Sequence, residues 1–159
     1  MIFCEPDDAK ELSDMARDIW TEYYNTIVTG DNIDYFINTI QTEKAIRQQI
    51  QDGCRYSFIT EGEIKAGYFC IVPQGDSLFI SKFYLYKEFR GKGLGSDTMD
   101  EILNMGRALK MKDAYLLVNR NNINSIEIYK HKGFIIAREE MREVGDGYYM
   151  DDYRLEYYF

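Results

Sequence analysis

Apolar residues recur at helical spacing early in the chain. Ala9, Leu12, Ala16, Ile19, Trp20 and Tyr23 share one face of a segment that begins at Asp7 or Asp8, with acidic residues in its first turn, where they complement the helix dipole. Ile2 to Cys4 predicts a short strand before it, ended by Glu5-Pro6. A loop at Thr29-Gly30-Asp31-Asn32 leads to a second helical region, Ile33 to Ile40 and then Glu43 to Gln51, which stops at Gly53. The period then changes. Tyr56 to Thr60 and Ile64 to Val72 read as a hairpin around Glu61-Gly62-Glu63, and Pro73-Gln74-Gly75-Asp76 turns into a long strand, Leu78 to Tyr86. A helix with the stripe Leu94, Thr98, Ile102, Met105 and Leu109 follows, then a buried strand Ala114 to Val118 and a short helix Asn124 to His131. Phe134 to Met141 and Tyr153 to Phe159 are the last predicted strands, joined by a loop containing Gly145-Asp146-Gly147. A hairpin-rich first half followed by a βαβ crossover calls for an α/β (α+β) chain with a mixed sheet and helices on its faces.

Composition narrows the class. At 159 residues the chain suits one domain, expected over 1–159, with no disulfide or metal staple needed. A hydrophobic share of 45% is too apolar for a disordered chain, and no apolar run approaches the ~18 residues of a membrane span. The N-terminus MIFCEPDDAK lacks a basic n-region and apolar h-region. Cys4, Cys54 and Cys70 are scattered without CxxC spacing, which reads as reduced, partly buried thiols of a cytoplasmic protein. One histidine leaves Ser-His-Asp, Cys-His and His-rich zinc chemistry little to build on, so no metal is expected. His131 itself reads as solvated surface.

The net charge of -8 argues against nucleic acid as a partner. Its distribution is uneven: Met1 to Asp76 sums to -8, Ser77 to Arg142 to +4, and Glu143 to Phe159 to -4. A basic centre between acidic ends hints at two partners of opposite charge.

The strand Leu78 to Tyr86 runs through Lys87-Glu88-Phe89 into Arg90-Gly91-Lys92-Gly93-Leu94-Gly95, where a helix begins. Strand, glycine-rich turn and helix N-terminus together make an anion site, because unpaired N–H groups and the positive dipole end face one place. No GxxxxGK[ST] string exists, which argues against a Mg-nucleotide P-loop; GxGxxG fails at Ser96, and Asp113 precedes the next strand instead of ending it. A plain tight turn is the other reading of these glycines.

Read as (Q/R)-x-x-G-x-(G/A), the same loop resembles that of the GCN5-related N-acetyltransferase (GNAT) family. A second stretch, Val118 to Phe134, is similar to that family's N-x-x-(A/S)-I-x-h-Y-x-x-x-G-F signature through Asn122, Ser125, Ile126, Tyr129, Gly133 and Phe134. The resemblance implies a GNAT fold: a mixed, mostly antiparallel central sheet of about seven strands, a usual sheet size, with its fourth and fifth strands splayed. It implies acetyl-CoA as co-substrate, held by Arg90, Gly91, Lys92, Gly93, Leu94, Gly95 and Ser96, by the strand segment Phe83, Tyr84 and Leu85 through its backbone, and by Asn122, Ser125 and Tyr129. It implies Tyr129 as the acid toward the departing thiolate. The predicted fourth strand carries no carboxylate after Asp76, so a water relay is the default for deprotonating the amine.

In that family the acceptor site is framed by the first helices, the fourth strand and the loop between the last two strands. Here those parts carry Trp20, Glu22, Tyr23, Tyr24, Asp31 and Asp34, then Asp151-Asp152 beside Tyr148 and Tyr149. Carboxylates beside aromatic faces suit a small cationic amine. The first helices also look like those of bacterial PaiA-like polyamine acetyltransferases. Transfer to a protein N-terminus or lysine is the alternative, and a non-catalytic acetyl-CoA-binding module is the alternative of another class. The tail Tyr157-Tyr158-Phe159 is compatible with a homodimer through the last strands.

Overall fold

The structure is a computed structural model that describes residues 2–23 and 34–159. After a 3-10 turn at Pro6–Asp8, helix α1 spans Ala9–Tyr23 and buries Ala9, Leu12, Met15, Ala16, Ile19 and Trp20, the predicted face with Met15 added and Tyr23, whose side chain is not described, left aside. The turn is closed by a reciprocal cap: the Glu5 N–H donates to Asp8 Oδ2 at 2.8 Å, while Glu5 accepts from the Asp8 backbone. A π-helical turn, Phe36–Ile40, precedes α2, Glu43–Gln51, which Thr42 caps by accepting from the Ala45 N–H at 3.1 Å. Strands β1 (Arg55–Glu61), β2 (Ile64–Gln74) and β3 (Ser77–Leu85) follow, then a 3-10 turn Lys87–Phe89 and α3 (Leu94–Ala108). β4 (Asp113–Asn119), α4 (Ile123–His131), β5 (Ile135–Gly145) and β6 (Tyr148–Tyr158) complete the chain.

The strands form one sheet in the order β1-β2-β3-β4-β6-β5. β1–β2, β4–β6 and β5–β6 are antiparallel and β3–β4 is parallel, giving the mixed sheet expected. It has six strands, against the seven or so implied. Ile2 to Cys4 forms no strand: the Cys4 N–H donates to Tyr56 O at 2.7 Å, Ile2 O accepts from the Ser57 hydroxyl, and Glu5-Pro6 then diverts the chain. The final hairpin is longer than its hydrophobicity indicated. The expected loop is a tight turn at Asp146–Gly147, so Asp151 and Asp152 lie inside β6 and pair with Met141 and Glu140 of β5. The α3 stripe also differs from the prediction. Thr98, Met99, Ile102, Leu103 and Gly106 are buried, whereas Leu109 lies beyond the helix and is exposed.

Backbone contacts divide the chain into two units. The first, Met1–Val72 with Lys82–Gly95, has a core of Leu12, Ala16, Ile19, Ile46, Tyr56, Tyr68 and Cys70. Burying such a cluster stabilises it by roughly 1.5–3 kcal/mol per large apolar side chain. Within this core runs a polar chain. The Tyr68 hydroxyl donates to Gln41 Oε1 at 2.8 Å, Gln41 Nε2 donates to the Tyr56 hydroxyl at 3.4 Å, and that hydroxyl donates to Gln49 Oε1 at 2.6 Å. The second unit, Pro73–Ser81 with Ser96–Phe159, buries Leu78, Ile80, Ala114, Leu116, Ile126, Phe134 and Leu155. Its β5 is an edge strand with no buried side chain. No described helix is long and apolar enough to cross a membrane.

Candidate active site

The glycine loop starts from the end of β3. Gly91 and Gly93 take φ of +74° and +89°, and a Cβ built on either would meet nothing within 4 Å. The left-handed backbone therefore explains the glycines here, and the space above them is open. Gly95 has another reason: an added Cβ would come to 3.2 Å from Leu85 Cδ1 and 3.6 Å from Phe83 Cε1, so the start of α3 lies close against β3. Leu94 and Ser96 flank it, both half-buried. Arg90 does not extend as a loose charge. Its Nε and Nη2 both donate to Leu85 O, at 2.9 and 2.6 Å, which fastens the loop to the strand end. Lys92 is exposed, its ammonium 5.3 Å from the Phe89 ring centroid. Open left-handed glycines, a helix N-terminus and an exposed lysine fit a phosphate-bearing ligand.

β3 alternates its faces and its backbone groups. Tyr84 packs edge-on against Trp20 and Tyr68, with centroids 5.8 and 5.5 Å away, and Phe83 and Leu85 face the other way toward Gly95. The Tyr86 N–H donates to Ala66 O on β2, so Phe83 and Leu85, in the opposite phase, aim their backbone groups away from β2. The β3–β4 ladder covers Ser77 to Ile80 and ends at Ile80–Leu116, before either residue.

In the second unit, Asn122 is buried and caps α4, its Oδ1 accepting from the Ser125 N–H at 3.4 Å. Tyr129 is half-buried two turns on, its ring edge-on to Phe134 at 5.9 Å, and the Phe134 N–H donates to Tyr129 O. His131 is exposed and its Nδ1 lies 2.7 Å from Glu127 O, as a surface residue would.

The described acceptor candidates differ in their surroundings. Trp20 is buried and stacked on Phe36, centroids 3.8 Å apart, so its ring packs the core and presents no open face. Glu22 and Asp34 are exposed. Tyr23 ends α1 without a described side chain, and Tyr24 and Asp31 lie outside the described residues. Asp151 is occupied by Arg120, whose Nε is 2.8 Å from Oδ1. Asp152 is buried with Arg142 Nη2 at 2.9 Å; burial raises its carboxyl above the usual range, and Arg142 opposes that. Among the described residues no group of three His, Cys, Asp or Glu could hold a metal ion.

Lys82 is not among the residues that the sequence singles out. It is buried in the inward phase of β3, between Ile80 and Tyr84, with Nζ 2.9 Å from Gln49 Oε1 and 5.3 Å from the Tyr56 ring centroid. Desolvation lowers its ammonium below the ordinary lysine value. The available signal was a charge at an apolar phase of a strand.

The acetyltransferase (GNAT) family model matches residues 12–134, and the chain belongs to that family. A probable spermine N(1)-acetyltransferase of Bacillus subtilis subsp. natto is 31% identical over 58 residues, a stretch spanning 36% of this chain and 38% of that relative. Two solved structures share the fold. The PaiA N-acetyltransferase of Thermoplasma acidophilum in complex with coenzyme A has a TM-score of 0.79 at 18% identity and covers 100% of both chains. The ribosomal-protein-alanine N-acetyltransferase of Brucella melitensis has a TM-score of 0.71 at 16% identity, over 99% of this chain and 98% of that one.

Proposed function

We propose that this protein is an acetyl-CoA-dependent N-acetyltransferase that acetylates a primary amine of a small cationic compound, polyamines foremost, by direct attack with both substrates bound. The observation that carries the reading is the glycine loop: two open left-handed glycines leading straight into the N-terminus of α3. Loop N–H groups from Gly91 to Ser96 hold the diphosphate, with Lys92 adding charge and Arg90 keeping the loop on β3. Backbone groups of Phe83 and Leu85 orient the arm and polarise the acyl oxygen, since donors aimed at developing negative charge are a large catalytic term. Asn122 and Ser125, at the start of α4, position the same ligand. When bound, acetyl-CoA supplies the activated acyl group as a thioester. The Tyr129 hydroxyl gives its proton to the departing sulfur, and a water relay takes the proton of the amine.

The polyamine preference rests on the partial likeness to a spermine acetyltransferase and on the acidic ends of the chain, including Glu22 and Asp34. A thiol-release assay over spermidine, spermine, amino-acid amines, aminoglycosides and peptides tests it. Turnover is expected with spermidine or spermine. Turnover with a ribosomal-type N-terminal peptide and none with any polyamine replaces the acceptor class. No turnover with any amine, together with tight acetyl-CoA binding, makes the chain a binding module.

A further inference from the structure

The transfer chemistry uses none of the buried thiols, yet two of them are arranged around Lys82. Cys54 lies one residue before β1, in the turn that follows α2, its N–H donating to Gln49 O at 2.9 Å. The β1–β2 register pairs Arg55 with Ile71 and Tyr56 with Cys70. Continued by one residue, it sets Cys54 opposite Val72 and on the same sheet face as Cys70, as diagonal neighbours. That face also carries Tyr56, Tyr68 and Tyr84, and Lys82 reaches it from β3. Cys54 packs against the core cluster that contains Cys70, whose Sγ lies 3.9 Å from Ile71 O, and the Lys82 charge acts on both thiols.

Among the described residues Lys82 makes no ion pair with a carboxylate. A buried ammonium without a counter-charge is costly, and Cys70 and Cys54 are the groups whose charge acts on it. The neighbouring Cys70 thiol holds Cys54 below the ordinary thiol value, while Cys54 and burial push Cys70 well above it. Asp52 acts against the thiolate. Cys54 is half-buried and can meet a small reagent; Cys4 is buried elsewhere in this core and held up at about 12.

We propose that Cys54 and Cys70 form a thiol-oxidation site, in which a hydroperoxide oxidises Cys54 and Cys70 resolves the product into an intramolecular disulfide. In the first step the Cys54 sulfur attacks the near peroxide oxygen. An S–O bond forms and the O–O bond breaks. The sulfur loses two electrons to the peroxide, and the alcohol or water leaves with a proton. In the second step the Cys70 sulfur attacks the sulfenic sulfur, an S–S bond forms, and the leaving hydroxide takes the Cys70 proton as water. Diagonal partners sit about 7–8 Å apart at Cα, slightly beyond ordinary disulfide reach. Cys54 is outside the β1 ladder, so a shift of its turn closes the gap without breaking a strand pair.

The test needs no acetyl-CoA or amine, so its outcome is independent of the acetyl-transfer reading. The reduced full chain is treated with a few equivalents of hydrogen peroxide, then alkylated and mapped by mass. Before alkylation the expected product is about 2 Da lighter, and afterwards it carries a Cys54–Cys70 cross-link with only Cys4 alkylated. Cys70→Ser is expected to stop at a Cys54 sulfenic acid trapped by dimedone, and Cys54→Ser to leave Cys70 reduced. Before oxidation, the pH midpoint of Cys54 alkylation is expected below that of a free thiol and moves upward in Lys82→Met. Wild-type protein that keeps both thiols alkylatable, or that oxidises Cys4 as fast as Cys54, overturns the proposal.

Discussion

Asn122 Oδ1 accepts the backbone N–H of Ser125 at 3.4 Å, so the side chain proposed to contact the cofactor also caps α4. The two roles use different ends of one amide, and substitution separates them. Asn122→Ala is expected to cost about 1 kcal/mol of stability through the lost cap and also to raise the KM for acetyl-CoA. Asn122→Asp keeps a capping oxygen and removes the amide donor, so it should melt near wild type and still show the raised KM. A normal KM in the aspartate variant assigns Asn122 to the helix alone.

Tyr129 packs edge-on against Phe134, and phenylalanine preserves that contact. Tyr129→Phe should therefore leave thermal stability and acetyl-CoA affinity unchanged while lowering kcat by roughly 100-fold, the lower end for a lost general acid. Full turnover in this variant removes the acid role.

Gly93 stands at φ +89° with open space where a side chain would go. Gly93→Ala meets no clash, and its cost is backbone strain of about 1–3 kcal/mol. The loop relieves that strain by leaving its shape, so calorimetric titration should show weaker acetyl-CoA binding with little change in Tm. Gly67→Ala gives the opposite pattern. Its Cβ would run into Tyr84 O and Leu85 on the neighbouring strand, and a large loss of Tm is expected.

The buried Asp152 carboxyl is raised above its unfolded value, largest cause burial, with Arg142 opposing. For a raised carboxyl, the unfavourable contribution is absent below the unfolded pKa and complete above the folded one. Arg142→Met removes the opposing charge, so its destabilisation should be largest near pH 7 and shrink toward pH 4. Urea melts at the two values measure the difference. Equal losses at both mean that Arg142 contributes packing and no charge.

Much of this was legible in the chain. Left-handed glycines, strand alternation and the α1 face have local causes, and the loop and the Asn122–Tyr129 motif appear where their spacing put them. Ile2 to Cys4 misled because three apolar residues satisfy a strand pattern, whereas a strand needs a ladder and Cys4 makes one backbone bond to Tyr56. The β5–β6 hairpin was underestimated because its far half carries charges that ordinarily mark a loop; the ladder holds them through pairs such as Glu140–Asp152. The acceptor residues were least legible. Trp20 stacks on Phe36 and Asp151 binds Arg120, partners supplied by tertiary packing and invisible to composition. Lys82 and Gln49 meet only because β3 and α2 pack against one core.

β5 closes one end of the sheet, and from Arg138 to Glu143 it offers two arginines and three glutamates in six residues. A foreign apolar strand trying to extend the sheet would have to strip water from charges along this stretch and would gain little contact in exchange. The charged stretch thus makes this edge a poor template for a further strand.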